Sequence, residues 1–531
     1  MEGGVSSSPP YPLDSETLFV AYYASEKIGC HLELGWTSPP NLIDLYVEFR
    51  NATNGIYPIA GKSLPSAMVH YGLKGFLTDN KDAMREIILQ GTPRTKEEQT
   101  QILNYCQSDV EATEALFRAM ANKVDLNKAL LRGRYISAVA KMENNGIPID
   151  VATLDRLKAN WGEIQYKLVT SVDKDYGVYE DLTFKQDKFK TYLKQNGIEW
   201  PHLPSGHLNL QKEVFKEMAL KYPALEPLRE LRKTLGKMRL NDLAIGSDGR
   251  NRCSLSPFGS RPGRNQPSTA KFIFGPAKWS RFLIKPEVGR SLAYIDWSQQ
   301  EFGIAAALSK DEAMKEAYIS GDPYLAFAKQ AGAVPKDATK KSHPRERENY
   351  KACVLGVNYG MGKESLARRI NDCPAKAREL IDAHKNTYKD FWAWVDGIEN
   401  CALQTDKLWT VFGWTIHIQG HVNLRMLKNF PMQANGAEMM RLACIMAVDN
   451  NIKICSPVHD AILIEATTDE IENDVNRMQQ IMAEASASVL SGFRLRTEAK
   501  IINYPDRFED EGGQEVWDKV LEILRDLTGC Q

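Results

Sequence analysis

Residues 292–301 read LAYIDWSQQE, and this stretch decides how the rest of the sequence is interpreted. The apolar residues before Asp296 predict a buried strand that ends at this residue, and a helix is predicted to start directly after it. A carboxylate at the end of such a strand lies at the rim of a pocket, where a metal ion or a substrate can reach it. Taken alone, an Asp in this place is more often the N-cap of the next helix.

A second motif lies in residues 347–360, which read RENYKACVLGVNYG. On a helix, residues four apart form one stripe, and this stripe contains Arg347, Lys351, Leu355 and Tyr359. Two cations followed by an apolar and an aromatic residue suit a triphosphate that lies along the helix with its base against the later residues. The alternative is an exposed basic turn that leads into a buried one.

A third motif lies in residues 454–464, ICSPVHDAILI, where two apolar runs flank a polar tip. The pattern predicts a β-hairpin that presents His459 and Asp460, although such a pair is usually structural when it stands alone. Two carboxylates brought close together repel, and a bound Mg²⁺ relieves that repulsion while taking its other ligands from water and phosphates. Asp296 and Asp460 are therefore predicted to hold ions that activate a primer 3′-hydroxyl and stabilise leaving pyrophosphate.

The bulk composition bounds these hypotheses. A chain of 531 residues predicts three or four domains, and 43% hydrophobic with 25% charged residues is typical of a globular protein. The formal net charge of -1 means that nucleic-acid binding requires a local cluster of basic residues. The nine cysteines lack zinc spacing and are predicted to be reduced, and without a signal peptide or a membrane-spanning run the protein is predicted to be cytoplasmic.

The remaining pattern predicts an α/β segment up to about residue 125, then basic amphipathic helices up to residue 250, and then an α+β lobe with a helical insertion. Basic helices are usually a solvated face, but beside a cleft they could follow a phosphate backbone. A loop rich in Gly and Pro at 256–267 is predicted to connect two lobes. The strands are predicted at 18–23, 42–49, 292–296, 408–418 and 452–466, and the helices at 81–90, 95–120, 299–329 and 344–403.

The three motifs together resemble those of the family A DNA polymerases, the group that contains bacterial DNA polymerase I, and especially its bacteriophage-type members. The first family motif, Asp-Tyr-Ser-Gln-x-Glu, is similar to 296–301, and the second, Arg-x3-Lys-x7-Tyr-Gly, matches Arg347 through Gly360. The third, His-Asp-Glu, is similar to 459–461. Arg264 resembles the arginine of the family's Thr-Gly-Arg loop, and the helix before the third motif is matched by Arg425, Asn429 and Gln433.

The resemblance implies an α+β right-hand polymerase fold, with palm, fingers and thumb, preceded by a truncated ribonuclease H-like α/β domain of the 3′-5′ exonuclease type. We expect the exonuclease-like domain at 1–125, the thumb at 126–255, the palm at 256–335 and 405–531, and the fingers at 336–404. The implied activity is extension of a primer on a DNA template with dNTPs. The implied partners are primer-template DNA and dNTPs, with no membrane, a monomeric state, possible replisome accessory proteins and a phage or prophage setting.

The resemblance also implies roles for single residues. Two Mg²⁺ ions, for which Mn²⁺ could substitute, would lie at Asp296 and Asp460, and Lys351 would donate a proton to pyrophosphate. Glu301 would exclude a ribose 2′-hydroxyl, and Tyr359 would guard the templating position. The residues implied to bind the nucleotide are Arg347, Lys351, Leu355, Tyr359, Glu301, Gln299 and Tyr324, and those implied to contact DNA are Arg264, Gln433, Asn429, Arg425, His459 and Gly360.

Three residues depart from the family pattern. Leu355 replaces the aromatic residue that usually faces the nucleotide, so stacking and discrimination against chain terminators are expected to differ. Ala461 replaces the last acid of the third motif, which leaves two metal carboxylates. Pro262 stands where the Thr of the arginine loop is expected.

The N-terminal segment has only part of an exonuclease site. Tyr105 and Asp109 have the Tyr-x3-Asp form of its last motif, and Glu26 could take the place of the middle acid, but the first motif is not convincingly present. Proofreading is therefore predicted to be weak or absent, because too few carboxylates remain for two metal ions. A single-subunit RNA polymerase and a non-catalytic DNA-binding relative are the alternatives; Glu301 argues against the first, and the retained aspartates and cations argue against the second.

Overall fold

The fold is taken from a computed structural model, which describes residues 8–56, 61–73, 81–91, 95–235, 240–275, 277–358, 360–420 and 423–529. Tyr359, predicted to guard the templating position, lies outside the described residues. Within the described part, no helix combines the length and the apolar character needed to cross a membrane.

The N-terminal segment, residues 8–125, is built on two short parallel strands joined by a helix. Its elements are β1 (Phe19–Ala21), α1 (Ala24–Glu33), β2 (Leu42–Asp44), α2 (Leu45–Thr53), α3 (Leu64–His70), α4 (Lys81–Leu89) and α5 (Lys96–Met120). The strand predicted at 42–49 is wrong beyond Asp44, because the Asp44 carboxylate accepts the backbone N–H of Tyr46 and thereby caps a helix. The first strand is also shorter than 18–23, since Tyr23 takes a left-handed backbone conformation.

The next segment, residues 126–251, is mostly helical, as its amphipathic pattern predicts. Its elements are α6 (Leu126–Asn145), β3 (Ile147–Pro148), α7 (Val151–Ala159), α8 (Trp161–Asp173), β4 (Tyr179–Glu180), β5 (Thr183–Phe184), α9 (Gln186–Gln195), α10 (Lys212–Lys221), α11 (Glu226–Leu235) and β6 (Arg250–Asn251). Helix α6 also contacts the N-terminal segment, where the Arg132 guanidinium forms a buried ion pair with Glu48 at 2.6 Å. Gly133 permits this approach, because a Cβ atom there would lie 1.8 Å from the Leu42 carbonyl oxygen.

The C-terminal segment contains an antiparallel sheet with the strand order β10-β11-β7-β12. Its strands and helices are β7 (Arg290–Trp297), α12 (Gln300–Ser309), α13 (Glu312–Ile319), α14 (Pro323–Gln330), α15 (Pro344–Asn358), α16 (Lys363–Ile370), α17 (Pro374–Thr387), α18 (Lys389–Thr405), β8 (Lys407–Trp409), β9 (Thr415–His417), α19 (Leu424–Asp449), β10 (Ile454–Val458), β11 (Ala461–Thr467), α20 (Ile471–Val489), β12 (Thr497–Asn503) and α21 (Gln514–Thr528). The predicted strand at the first motif, the hairpin at the third and the helical insertion between them are all present.

One face of this sheet packs on helices and the other carries polar residues near its end. The indole N–H of Trp297 donates to the Met482 carbonyl of α20 at 3.2 Å, which fixes the buried face of β7. Because side chains alternate along a strand, the neighbouring Asp296 points to the opposite face. The strand thus places an acid outside the core while its neighbours anchor the sheet.

The far end of the sheet contains a fully buried carboxylate, Glu465 of β11. It forms ion pairs with Arg250 at 2.6 Å, Arg290 at 2.6 Å and Lys453 at 2.8 Å. Burial alone would raise the pKa of Glu465, but hydrogen bonds from Lys453 and Arg250 lower it to about 2. This cluster joins the short strand β6 to the sheet and holds β11 in register with β7.

Candidate active site

The two acids of the first and third motifs meet at one end of the sheet. Asp296 is the penultimate residue of β7, and it lies directly opposite Ala461, the first residue of β11. The backbone N–H of Trp297 donates to the carbonyl of Asp460 at 3.2 Å, so the hairpin tip is fixed against the end of β7. The N-cap of the helix after β7 is Gln299, which excludes the capping role that a lone Asp296 would suggest.

A third carboxylate, Glu498, lies on the other side of Asp296. It is opposite Asp296 in the register of β12 with β7, and it accepts a hydrogen bond from the Ser298 hydroxyl at 2.8 Å. Burial, then repulsion from Asp460 and from Glu498, raises the pKa of Asp296 to about 6. Sequence patterns do not reveal Glu498, because only the pairing of distant strands places it here.

The acid pair suits a hard divalent cation. Repulsion from Asp460 raises the pKa of Asp296, and the pairing of β7 with β11 brings both residues to the same end of the sheet. Within the described ranges there is no group of three or more His, Cys, Asp or Glu side chains arranged to hold a metal ion by themselves. A pair of carboxylates that leaves the remaining positions to water and substrate phosphates is the arrangement that Mg²⁺ accepts.

Replacing Asp296 with Asn is expected to stabilise the metal-free protein at pH 7.5 by about 1 to 2 kcal/mol, because it removes a repelled carboxylate. The folded pKa of about 6 is above the unfolded value of 3.8, so the folded state binds the proton more tightly. The destabilisation is therefore largest above pH 6 and declines as the pH falls from 6 towards 4. Denaturant unfolding in EDTA at pH 7.5 and pH 5 measures the difference.

The matched measurement is the melting temperature with Mg²⁺. At pH 7.5 Mg²⁺ should raise the melting temperature of the wild type and should raise that of Asp296→Asn much less, since binding to the folded state alone stabilises it. A variant that is less stable than the wild type at pH 7.5 in EDTA would contradict the electrostatic interpretation.

A cavity of about 470 Å³ opens beside these acids. Residues predicted from all three motifs line it, which brings together side chains that are far apart in the sequence. They are Arg264, Gln299, Glu301, Tyr324, Leu355, His459 and Asp460, together with Gln300, Phe302 and Asn358. The cavity therefore has an acidic end, an apolar wall and a charged pair, Arg264 and Glu301, at 3.7 Å.

Asn358 is a residue of this cavity that the sequence motifs do not single out. Its side chain is 4% exposed, and among the described residues neither its amide nitrogen nor its amide oxygen has a hydrogen-bond partner. Asn358 follows Leu355 by three positions, so both lie on the same side of α15. That helical spacing is the signal that could have identified it.

The two cations of the second motif lie one and two turns before Leu355 on α15. The Arg347 guanidinium contacts the carboxylates of Asp322 at 2.5 Å and Glu348 at 2.6 Å, and the Lys351 ammonium lies 3.8 Å from Glu348. Neither cation is among the residues that line the 470 Å³ cavity. Arg347 is thus held by Glu348 of its own helix and by Asp322, the N-cap of α14, and a triphosphate would have to take their place.

A larger cavity, of about 550 Å³, adjoins the first, and Arg264 and His459 line both. Its cationic lining residues are Lys233, Arg264, Lys278, Arg281 and Arg441. They come from α11, from the segment between β6 and β7, and from α19, and each is paired with a carboxylate: Glu230, which also lines the cavity, Glu301, Asp510 or Glu438. His459, at the hairpin tip, has a φ of 58°, an uncommon left-handed conformation for a non-glycine residue, and it lies between the two cavities.

The remaining DNA-contact candidates lie on α19 and beside it. Arg425, Asn429 and Gln433 are four residues apart, so they form one stripe of this helix. Arg425 is exposed, and the other two are partly exposed. Gly360 has a φ of 64°, and a Cβ atom there would lie 3.0 Å from the Arg425 side chain, so the end of the second motif contacts this stripe.

The exonuclease candidates have different surroundings. The pKa of Glu143 in α6 is raised to about 7. Burial is the main cause, a hydrogen bond from the Leu255 N–H opposes it, and the negative charge of Glu26 adds to it. Asp109 instead lies near Tyr105 of the same helix. Burial raises the pKa of Tyr105, and the charge of Asp109 raises it further. In the described parts of the chain, neither acid belongs to a group of three ligands that could hold a metal ion.

Comparison with solved structures identifies the fold. The POL domain of Pol1 from M. smegmatis, solved in complex with DNA primer-template and dNTP, aligns with a TM-score of 0.72 at 19% identity, over 92% of this chain and 86% of that one. The chain therefore has the fold of that polymerase domain, and its acid pair lies at one end of the four-stranded sheet.

Sequence comparison gives similarity to one family. Residues 277–502 match the sequence model described as "DNA polymerase family A". DNA polymerase I of Aquifex aeolicus is 24% identical over 74% of this chain and 70% of its own length. DNA polymerase I, thermostable, of Thermus aquaticus is 23% identical over 66% of this chain and 45% of its own length.

A phage enzyme is similar at the same level. The DNA polymerase of Escherichia phage T5 is 23% identical over 69% of this chain and 51% of its own length. This chain thus spans about half the length of several curated relatives that it matches, and 70% of the Aquifex enzyme. Members of the family depend on divalent metal ions, and these comparisons favour a DNA polymerase over both alternatives that the sequence left open.

Proposed function

We propose that this chain is a template-directed DNA polymerase that extends a primer 3′-hydroxyl with dNTPs, with Mg²⁺ at Asp296 and Asp460. The observation that carries the proposal is the 470 Å³ cavity, where Asp460 meets Glu301, Tyr324 and Leu355. When bound, Mg²⁺ ions supply activation of the 3′-hydroxyl and neutralisation of phosphate charge. The acid pair would hold such ions between a primer end and a nucleotide bound in this cavity.

The protein's own residues position the substrates. Arg347 and Lys351 offer guanidinium and ammonium donors to the triphosphate, and Arg347 would exchange its contacts with Asp322 and Glu348 for phosphate oxygens. Lys351 would then donate a proton to the leaving pyrophosphate. Leu355 and Tyr324 form the wall of the cavity against which the base and the sugar would lie.

The domain assignment follows the same scheme. We assign the sheet and the residues around it, 256–335 and 405–531, to the palm, and 336–404 to the fingers. The helical segment 126–255 is assigned to the thumb, and residues 1–125 to an incomplete exonuclease-like domain with weak or absent proofreading. The protein would act as a monomer, with replisome accessory proteins as possible partners.

The experiment that tests the proposal is primer extension with the purified chain, a primed DNA template, Mg²⁺ and either dNTPs or rNTPs. The expected result is template-dependent incorporation of dNTPs, lost without divalent metal and restored by Mg²⁺ or Mn²⁺. The absence of incorporation under all of these conditions would reject a catalytic role. Preferential incorporation of rNTPs would favour an RNA polymerase.

Replacing Glu301 with Ala is expected to lower the preference for dNTPs over rNTPs by roughly 10- to 100-fold, because the carboxylate that faces the sugar would be removed. Glu301 lines the cavity, and its carboxylate lies 3.7 Å from the Arg264 guanidinium. Single-nucleotide incorporation with dNTP and rNTP pairs measures the ratio of kcat/KM. Glu312→Ala, a change at an exposed acid of α13, is the control. An equal loss of dNTP preference in both variants would contradict the proposed role of Glu301 in excluding the 2′-hydroxyl.

A further inference from the structure

A separate basic cavity of about 400 Å³ lies where the N-terminal segment contacts the loop at 256–267. Its lining includes three cations, Arg50, Lys62 and Arg261, and no Asp or Glu side chain among the described residues. Cavities lined by like charges without counter-charges favour a ligand of opposite sign. The surroundings of these cations therefore identify the kind of ligand.

Arg50 is the buried cation of this set, with only 6% of its surface exposed. Its guanidinium donates to the carbonyls of Phe258 at 3.2 Å and Gly259 at 3.0 Å, and its Nε atom is buried with no partner among the described residues. A buried charged donor that lacks an anionic partner is costly, and a bound anion removes that cost.

The other two cations are attached to fixed backbone. The Lys62 carbonyl accepts the Tyr22 hydroxyl at 2.6 Å, and the Arg261 carbonyl accepts the Asn54 amide at 2.8 Å and the Trp414 indole N–H at 2.9 Å. Burial, and then the charge of Arg50, lowers the pKa of Lys62, so the cations repel each other across the cavity. Guanidinium and ammonium donors that line one cavity together suit a phosphate group.

The loop at 256–267 joins this cavity to the 550 Å³ cavity, where a nucleic acid strand beside the proposed active site would lie. Gln266 lines both the basic cavity and the 550 Å³ cavity, and Arg264 of the same loop extends to the nucleotide cavity. An anion that enters the basic cavity is therefore placed beside a nucleic acid strand held in the larger one.

We propose that the cavity formed by Arg50, Lys62 and Arg261 binds a backbone phosphate of the nucleic acid held in the adjoining 550 Å³ cavity. This inference rests on the proposed function and gives the N-terminal segment a role in holding DNA. An exonuclease-like segment without nuclease activity would then still contribute to DNA binding, because it supplies Arg50 and Lys62 to this cavity.

The test measures binding of labelled primer-template DNA by fluorescence anisotropy between 50 and about 300 mM NaCl. The variant is the double change Lys62→Met with Arg261→Met, because both side chains are exposed and Arg50 also holds the loop backbone. The matched control is Arg378→Met with Lys389→Met, two exposed cations of α17 and α18. Primer extension at saturating DNA is measured for all proteins.

The expected result is about 3- to 10-fold weaker binding at 100 mM NaCl, and a salt slope whose magnitude falls by about 0.7 to 0.9, the value for one phosphate that the protein no longer neutralises. The control should match the wild type, and extension at saturating DNA should remain within about twofold for every protein. If the wild-type protein bound DNA but did not incorporate dNTPs, the proposed function would be wrong. The extension assay therefore distinguishes failure of the proposed function from failure of this inference.

Three outcomes overturn the inference. If the double variant had the same affinity and salt slope as the control variant, no phosphate would be bound here. Weaker binding of the double variant with an unchanged salt slope would lead to the same conclusion. A final arm adds inorganic pyrophosphate and follows the melting temperature. Loss of a pyrophosphate-induced shift in the double variant, with DNA binding unchanged, would assign the cavity to a free anion and reject a nucleic acid phosphate.

Discussion

Replacing Asp460 with Asn is expected to reduce the kcat of primer extension by roughly 1,000-fold or more, because one of two carboxylates at the metal site loses its charge. Asp460 lines the nucleotide cavity, and its backbone carbonyl is hydrogen-bonded to β7 beside Asp296. Binding of primer-template DNA should be retained or strengthened, since a negative charge is removed beside a polyanion. Single-turnover incorporation and anisotropy titrations measure the two effects.

Glu498→Gln is the matched control for this prediction. Glu498 lies near Asp296 and raises its pKa by repulsion. It suits the role of control because its side chain is exposed and accepts a hydrogen bond from Ser298. We expect its activity to remain within about threefold of the wild type. Extension by Asp460→Asn at the wild-type rate would overturn the catalytic assignment, and a loss in Glu498→Gln as large as that in Asp460→Asn would make Glu498 a third ligand.

Replacing Lys351 with Gln is expected to lower kcat by roughly 100-fold, because a positioned general acid contributes at least that much to a proton transfer. The KM for dNTP should also rise, since a phosphate-binding cation is removed. Pre-steady-state incorporation over a range of dNTP concentrations separates the two effects.

Lys363→Gln is the control, because Lys363 begins the next helix, α16, and pairs only weakly with Glu364 at 3.9 Å. It should behave as the wild type does. If Lys351→Gln also retained both kcat and KM, Lys351 would be part of an exposed basic turn, which is the alternative that the sequence of α15 leaves open.

Much of the catalytic sheet could be predicted because its signals are local. The apolar run before Asp296, the two runs around His459 and Asp460, and the four-residue spacing from Arg347 each specify one element without reference to the rest. The family resemblance then supplied what local patterns lack, namely that these elements meet.

The misses have physical causes of their own. Residues 45–49 are apolar enough for a strand, but the Asp44 carboxylate accepts an N–H of the next turn and starts a helix instead. Glu498 and the Arg50 cavity depend on contacts between distant segments, which no pattern within a short window records. The contacts of Arg347 with Asp322 and Glu348 likewise follow from folding and not from the motif.

The ion cluster around Glu465 and the acid pair at the opposite end of the same sheet respond to different ranges of acidity. The stabilisation from Glu465 is present above its unfolded pKa of 4.5 and is lost only as the pH falls towards 2, whereas Asp296 takes up a proton near pH 6. Mild acid should therefore weaken the binding of Mg²⁺ to the metal-free acid pair, because a proton competes for Asp296, while the ion cluster around Glu465 stays intact. A sample held at pH 5 and returned to neutral pH should therefore regain its polymerase activity without having to refold.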